Sequence, residues 1–184
     1  MAAATFAAAC ANSNIINTPQ GPRPEAVAPP PQPEPAQGLD PHLANAFDFH
    51  VNTDTVNGYY FTTPSGKWNC AIIPHSSAGC QSAAGALGIT GAPATVHDGD
   101  GQDIAPNAVQ IGNDGAPEFV RLPPPGFSPP ASKPLTLTFG TTLAAAGFRC
   151  NVQESGVSCQ SEFSRQGFTF SPESFVPEYT PVPG

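Results

Sequence analysis

The stretch Cys70-Ala-Ile-Ile-Pro-His-Ser-Ser-Ala-Gly-Cys80-Gln81-Ser82 has a second version in Cys150-Asn-Val-Gln-Glu-Ser-Gly-Val-Ser-Cys159-Gln160-Ser161, with the two closing cysteines 79 residues apart. Each is a cysteine pair closing a short loop that ends in Cys-Gln-Ser. Nine residues separate the first pair and eight the second. Zinc knuckles bring two ligands within about two to four residues, so this spacing does not suit them. It suits two antiparallel strands joined by a turn, with the cysteines facing across the ladder and Pro74, Gly79 and Gly156 supplying turn chemistry. Two disulfides, Cys70–Cys80 and Cys150–Cys159, are expected, and with them an oxidising compartment.

Working outward, Tyr59-Tyr60-Phe61-Thr62 is rich in strand formers and stops at the turn Pro64-Ser65-Gly66. Lys67 to Ile72 returns as the next strand. Thr95-Val96 and Asn107 to Gly112 read as strands, and Asn113-Asp114-Gly115 turns the chain into Glu118 to Leu122. Pro123 to Pro134 is a Pro-rich connector. Leu135-Thr-Leu-Thr-Phe139-Gly140 alternates as a strand should, Phe148 to Val152 faces Val157 to Ser161, and Phe168 to Phe170 is the last strand. Gly85 to Gly91 fits strand or loop. Thr142 to Ala146 is the best candidate for a short helix. Many brief strands with turn signals between them predict an all-β fold: a small disulfide-stapled antiparallel β-sandwich or partly open barrel with two similar hairpin halves. Its expected core is Tyr60, Phe61, Trp68, Ile72, Phe119, Val120, Leu137, Phe139, Phe148, Phe168 and Phe170.

The chain has 184 residues, 11% of them charged, and a net charge of −8. That balance offers no footprint for nucleic acid and is repelled by anionic membrane surfaces. Its proline is uneven. From Asn17 to about Pro41 it is so dense that amide donors are missing and φ is fixed, which predicts a disordered linker over 17–45. Extended at about 3.1 Å per residue, such a linker makes a tether; a ligand for a Pro-binding module is the other use. His42 falls in this stretch. The folded domain is expected over 46–184.

Residues 1–16 run Met1-Ala-Ala-Ala-Thr-Phe-Ala-Ala-Ala-Cys10-Ala-Asn-Ser-Asn-Ile-Ile. Small residues before a cysteine and a polar run after it match the end of a bacterial lipoprotein signal, with Cys10 as lipid acceptor. No basic n-region is present, so the remainder of such a signal is expected upstream of Met1. An Ala-rich tail with an incidental cysteine, or cleavage before Cys10 in ordinary secretion, are the alternatives.

Among polar residues, His97-Asp98-Gly99-Asp100-Gly101-Gln102-Asp103 begins like a calcium loop. Asp103 and Val109 then stand where Gly and Glu belong, so Asp98, Asp100 and Asp103 are weak metal candidates and an exposed turn is the plainer reading. His75 lies beside Ser76 and Ser77 in one turn, which does not supply the separate elements a Ser–His pair requires. No nucleophile elbow, phosphate loop or paired-carboxylate motif is present. No catalytic residue and no cofactor is assigned.

The blocks Phe61-Thr-Thr-Pro64-Ser65-Gly66-Lys67-Trp-Asn-Cys70, Leu135-Thr-Leu-Thr-Phe139-Gly140, Gly147-Phe-Arg-Cys150, Gly156-Val-Ser-Cys159 and Gln166-Gly167-Phe168-Thr-Phe-Ser171 resemble, in that order, a family of uncharacterised actinobacterial exported proteins and lipoproteins. Its members carry Phe-x-Ser/Thr-Pro-Ser-Gly-Asn…Cys and Gly-His-Gly-Phe…Ser blocks. The resemblance covers roughly Tyr59 to Phe175. This chain departs from the pattern at Lys67, where Asn is usual, and at Gln166, where His is usual, so chemistry dependent on that His is absent here. The resemblance implies export and a place in the cell envelope, without assigning a reaction. Together with the residues it leads to one expectation: a monomeric, envelope-tethered lipoprotein or secreted accessory module. Its partner would be an envelope protein or cell-wall glycan, bound at a surface containing Arg165, Gln166, Phe168 and Trp68. A small extracellular hydrolase or calcium-binding protein using His75, His97 or the Asp98–Asp103 cluster is the competing expectation.

Overall fold

Both cysteine pairs close between strands in direct register, Cys70 opposite Cys80 and Cys150 opposite Cys159. Their Cα atoms lie 4.0 and 4.1 Å apart, the close spacing of an antiparallel pair that does not exchange hydrogen bonds. The computed structural model describes residues 40–130 and 135–184; Cys10 and the Pro-rich stretch up to residue 39 lie outside them. The described residues belong to one compact unit, Gly38–Gly184.

A single helical turn, α1 (Ala46–Phe49), precedes β1 (His50–Asn52), β2 (Asn57–Thr62), β3 (Trp68–Ile73) and β4 (Ser77–Ser82). A small hairpin of β5 (Val96–His97) and β6 (Asp103–Ile104) follows, then β7 (Ala108–Gly112) and β8 (Glu118–Val120). The second half holds β9 (Thr141–Ala145), β10 (Phe148–Gln153), β11 (Gly156–Ser161), β12 (Gly167–Ser171) and β13 (Ser174–Val176). Two antiparallel sheets result, ordered β1-β2-β3-β4-β7-β8 and β13-β12-β11-β10-β9. Leaving β1 aside, the strands follow one another in the same order in both sheets. The duplication therefore reaches well beyond the hairpins.

The repeated triplet has a structural meaning. In each copy the cysteine points inward: Cys70, Cys80, Cys150 and Cys159 are fully buried in one cluster with Phe61, Leu143, Phe148, Phe168 and Phe170. Burying each Phe side chain stabilises the fold by about 1.5–3 kcal/mol, an upper figure because the unfolded chain already shelters some of it. Trp68 meets Phe170 edge-on at 4.7 Å, and Phe119 meets Phe175 at 4.6 Å, so rings join the two sheets.

Strand alternation turns the following glutamine outward. Gln81 Oε1 accepts from Phe127 N (2.7 Å) while its Nε2 donates to Ser128 Oγ (2.6 Å). This straps the segment after β8 across the outer face, where Phe127 is buried with Val51, Tyr60, Ala71 and Ala108. The second sheet has its own strap after β13. There Asn151 Nδ2 donates to Thr180 O (2.9 Å), and Ser158 Oγ accepts from Thr180 N (2.8 Å). Each sheet thus carries a strap over part of its outer face.

Several expectations are corrected. Gly79 is within β4, not in a turn; a Cβ there would meet the Val109 carbonyl oxygen and Phe127, so glycine permits the close approach of β7 and the strap. Thr142 to Ala146 is strand β9 running into a turn, despite its alanines. The next two residues explain this, because Ala146 (φ 49°) and Gly147 (φ 84°) both adopt positive φ, the two-residue hairpin geometry whose twist matches the flanking strands. Leu135 to Gly140 is not a strand. Only Thr136 forms a bridge, with Thr62, while Leu137 enters the core and Phe139 stays half exposed. Phe119 and Val120 are only half-buried.

Folding also starts before residue 46. Leu43 bridges to Thr142, and His42 Nδ1 donates to Gly140 O at 2.8 Å, so His42 belongs to the folded domain rather than the linker. This segment runs along β9, turns through α1 and joins the other sheet as β1 against β2, closing one seam of the sandwich.

Candidate functional site

Because the two halves share strand order, the places where they differ are informative. Residues 63–67 connect β2 to β3, whereas the matching β9–β10 link is only Ala146-Gly147. Residues 83–107 connect β4 to β7, whereas 162–166 suffice between β11 and β12. Register places both longer links at one end of the first sheet, because Trp68 pairs with Ser82 there. At the same end the second sheet presents its tight turns, Glu154-Ser155 and Pro172-Glu173. The elaborated end is where the molecule departs from its own repeat.

That end carries a cleft of about 350 Å³ lined by Lys67, Trp68, Phe139, Glu154, Ser171 and Glu173, among others. A second, more apolar compartment of about 550 Å³ adjoins it, with Ala84, Ala86 and Leu87 on its walls. Ser65, Lys67, Trp68 and Pro172 border both compartments.

The walls are held internally. Gly66 N donates to Thr63 O (2.8 Å) and Thr63 N to Trp68 O (3.1 Å), fixing the Pro64-Ser65-Gly66 turn, and Gly66 supplies the φ of 66° it needs. Ala83 N donates to Lys67 O (2.9 Å), and Thr90 donates through its amide and its hydroxyl to Pro172 O (2.9 and 3.1 Å). Leu87 and Ile89 anchor the 83–92 loop in the core. Lys67, the sole lysine among the described residues, makes no ion pair there, and Phe139 is 50% exposed at the rim.

Trp68 is the one member of the expected ligand surface found here, and its ring is largely buried under the cleft floor. Phe168 is wholly in the core. Arg165 and Gln166 occupy the β11–β12 turn at the opposite end, where Gln160 Nε2 donates to Arg165 O (2.9 Å) and Arg165 holds φ 63°. Those four residues therefore do not form one surface. His75 (φ 60°) is exposed in the β3–β4 turn, also at the far end.

His97 pairs with Asp103 at 3.0 Å on the exposed β5–β6 hairpin. Asp98 Oδ1 accepts from the amides of Asp100 (3.0 Å) and Gln102 (2.8 Å), so that carboxylate organises its own turn. Among the described residues no group of three His, Cys, Asp or Glu side chains comes together to hold a metal ion. The two carboxylates lining the cleft, Glu154 and Glu173, carried no motif, and Phe139 was expected in the core rather than at a rim. They become neighbours of Lys67 only through the packing of one sheet on the other. A comparison of link lengths between the two repeats is the sequence signal that could have found this end.

Comparison with protein-family models, curated proteins and solved structures returned no match to the chain.

Proposed function

We propose that this chain is a ligand-binding or accessory module of the cell envelope in an actinobacterium, exported and tethered through a lipid on Cys10 and the Pro-rich linker. Two core disulfides support an oxidising location. The observation that carries the binding reading is the pair of adjoining compartments at the elaborated end. They are concave, aromatic-edged and supplied with a few charged groups, as small-ligand sites generally are. A rigid scaffold with side chains presented from longer loops is the common arrangement for recognition.

Retention of the purified full chain on isolated envelope material, compared with Lys67→Ala and Phe139→Ala, tests this. Both side chains are exposed, so the variants should fold as the parent does. Retention that survives both substitutions places the binding surface elsewhere. Anchoring is tested separately by incorporation of an alkyne-labelled fatty acid, which Cys10→Ser should abolish.

A further inference from the structure

We infer that the ligand is an oligosaccharide containing N-acetylated hexosamine, lying across the Lys67–Trp68–Pro172 ridge with an acetamido group in the compartment walled by Ala84, Ala86 and Leu87. This rests on the reading of the elaborated end as a binding site.

Several backbone amides around the cleft are already committed. Thr63, Gly66, Ala83 and Thr90 all spend their amides on neighbouring carbonyls. A peptide that binds by adding a strand needs an open ladder of amides and carbonyls, and these turns do not provide one. Recognition therefore falls to side chains.

Those side chains match a polyol. Glu154 and Glu173 supply carboxylate acceptors for hydroxyl donors, the Lys67 ammonium donates only, and Ser65 and Ser171 add hydroxyls already paired with Thr63 and Ser174. The exposed Phe139 ring can cover the apolar C–H face of a pyranose.

Charge narrows the choice further. With a net charge of −8, the protein disfavours an anionic polymer at a site that itself holds two glutamates, whereas a neutral glycan meets no such penalty. The second compartment separates amino sugars from plain hexoses. Its Ala84, Ala86 and Leu87 walls suit a methyl group, and Lys67, which borders both compartments, can donate to the acyl oxygen.

The test is an amide-resolved NMR titration of the full chain with tetra-N-acetylchitotetraose, using cellotetraose as the control without acetamido groups. Expected are saturable shifts confined to residues 63–68, 83–90, 139, 154–156 and 171–173. Cellotetraose should bind about tenfold more weakly, and Phe139→Ala and Lys67→Ala should each weaken the acetylated ligand by about tenfold without changing Tm. Equal affinity for the two sugars overturns the assignment. So does a chain that ignores both sugars yet is retained on envelope material through Lys67 and Phe139, with retention lost on protease treatment of that material; the occupant is then a protein and the cleft reading stands. Absence of both sugar binding and envelope retention overturns the cleft reading as well.

Discussion

Replacing one disulfide by alanines, as Cys70→Ala with Cys80→Ala or Cys150→Ala with Cys159→Ala, should cost a large part of the stability of this domain. The sequence separations are 10 and 9, for which loop-closure entropy in the unfolded chain is worth about 2.7 and 2.6 kcal/mol at room temperature. All four cysteines are fully buried in the shared core, so each lost sulfur also leaves a void costing on the order of 1 kcal/mol. The expected loss is about 4–5 kcal/mol per pair, against a total of about 5–15 kcal/mol for a typical domain. Either variant should be marginal, and the double variant unfolded. Guanidinium unfolding can be followed through Trp68, the single tryptophan, whose fluorescence should respond when it leaves Phe170. A single-pair variant within 1 kcal/mol of the parent (~1 kcal/mol being well below the entropic figure alone) would refute both the loop-closure reasoning and the placement of the sulfurs in a packed core.

Ala146→Gly should stabilise by about 0.5–1 kcal/mol, since glycine relieves a left-handed residue; in a helix the same change would destabilise by about 1 kcal/mol, so the sign of the Tm shift decides between strand-turn and helix. Gly79→Ala should cost about 1–3 kcal/mol, because a Cβ would press on Gln110 Cα at 2.8 Å and Phe127 at 2.9 Å; a loss too small to resolve in chemical denaturation would contradict the close approach of β7. Burial raises the Tyr60 pKa above its ordinary 10.0, so the folded state holds the phenol proton more tightly than the unfolded state. Its contribution is therefore complete below pH 10 and declines as pH rises from there through the folded pKa. Rapid pH-jump unfolding should show that decline in the parent and lose it in Tyr60→Phe. Arg149 pairs with Glu162 at 2.7 Å, yet both side chains are about two-fifths exposed, so Arg149→Ala should shift stability by roughly 0.5 kcal/mol or less, measurable by the same denaturation series.

The hairpins were legible because a cysteine in each strand can meet its partner in only one register, and alternation then decides which neighbours face the core. Phe61, Trp68, Ile72, Phe148, Phe168 and Phe170 follow from that. Thr142 to Ala146 was misread because alanine propensity is weak beside the packing of Leu143 and a turn at residues 146–147. Leu135 to Phe139 alternates like a strand, yet beyond β1 the edge of β2 offers it only Thr62, so Phe139 emerges at the rim instead of the interior. Short edge strands such as β1 and β13 leave little periodicity to detect. The candidate site was the least legible part. Lys67 is separated from Glu154 and Glu173 by a long stretch of chain and comes to share a cleft with them only when the sheets stack.

The seam closed by residues 40–52 has a mechanical consequence. The chain enters beside β9 of one sheet, through His42 and Leu43, and passes to the other sheet at β1. Force applied N-terminal to Asp40 would load these few contacts first. They can peel away while both disulfide hairpins hold, because the covalent staples lie deeper in the fold and off that path. Entry segment and core would then fail at different loads, the apolar packing of Ala44, Ala46, Phe49 and Val51 setting the resistance of the first.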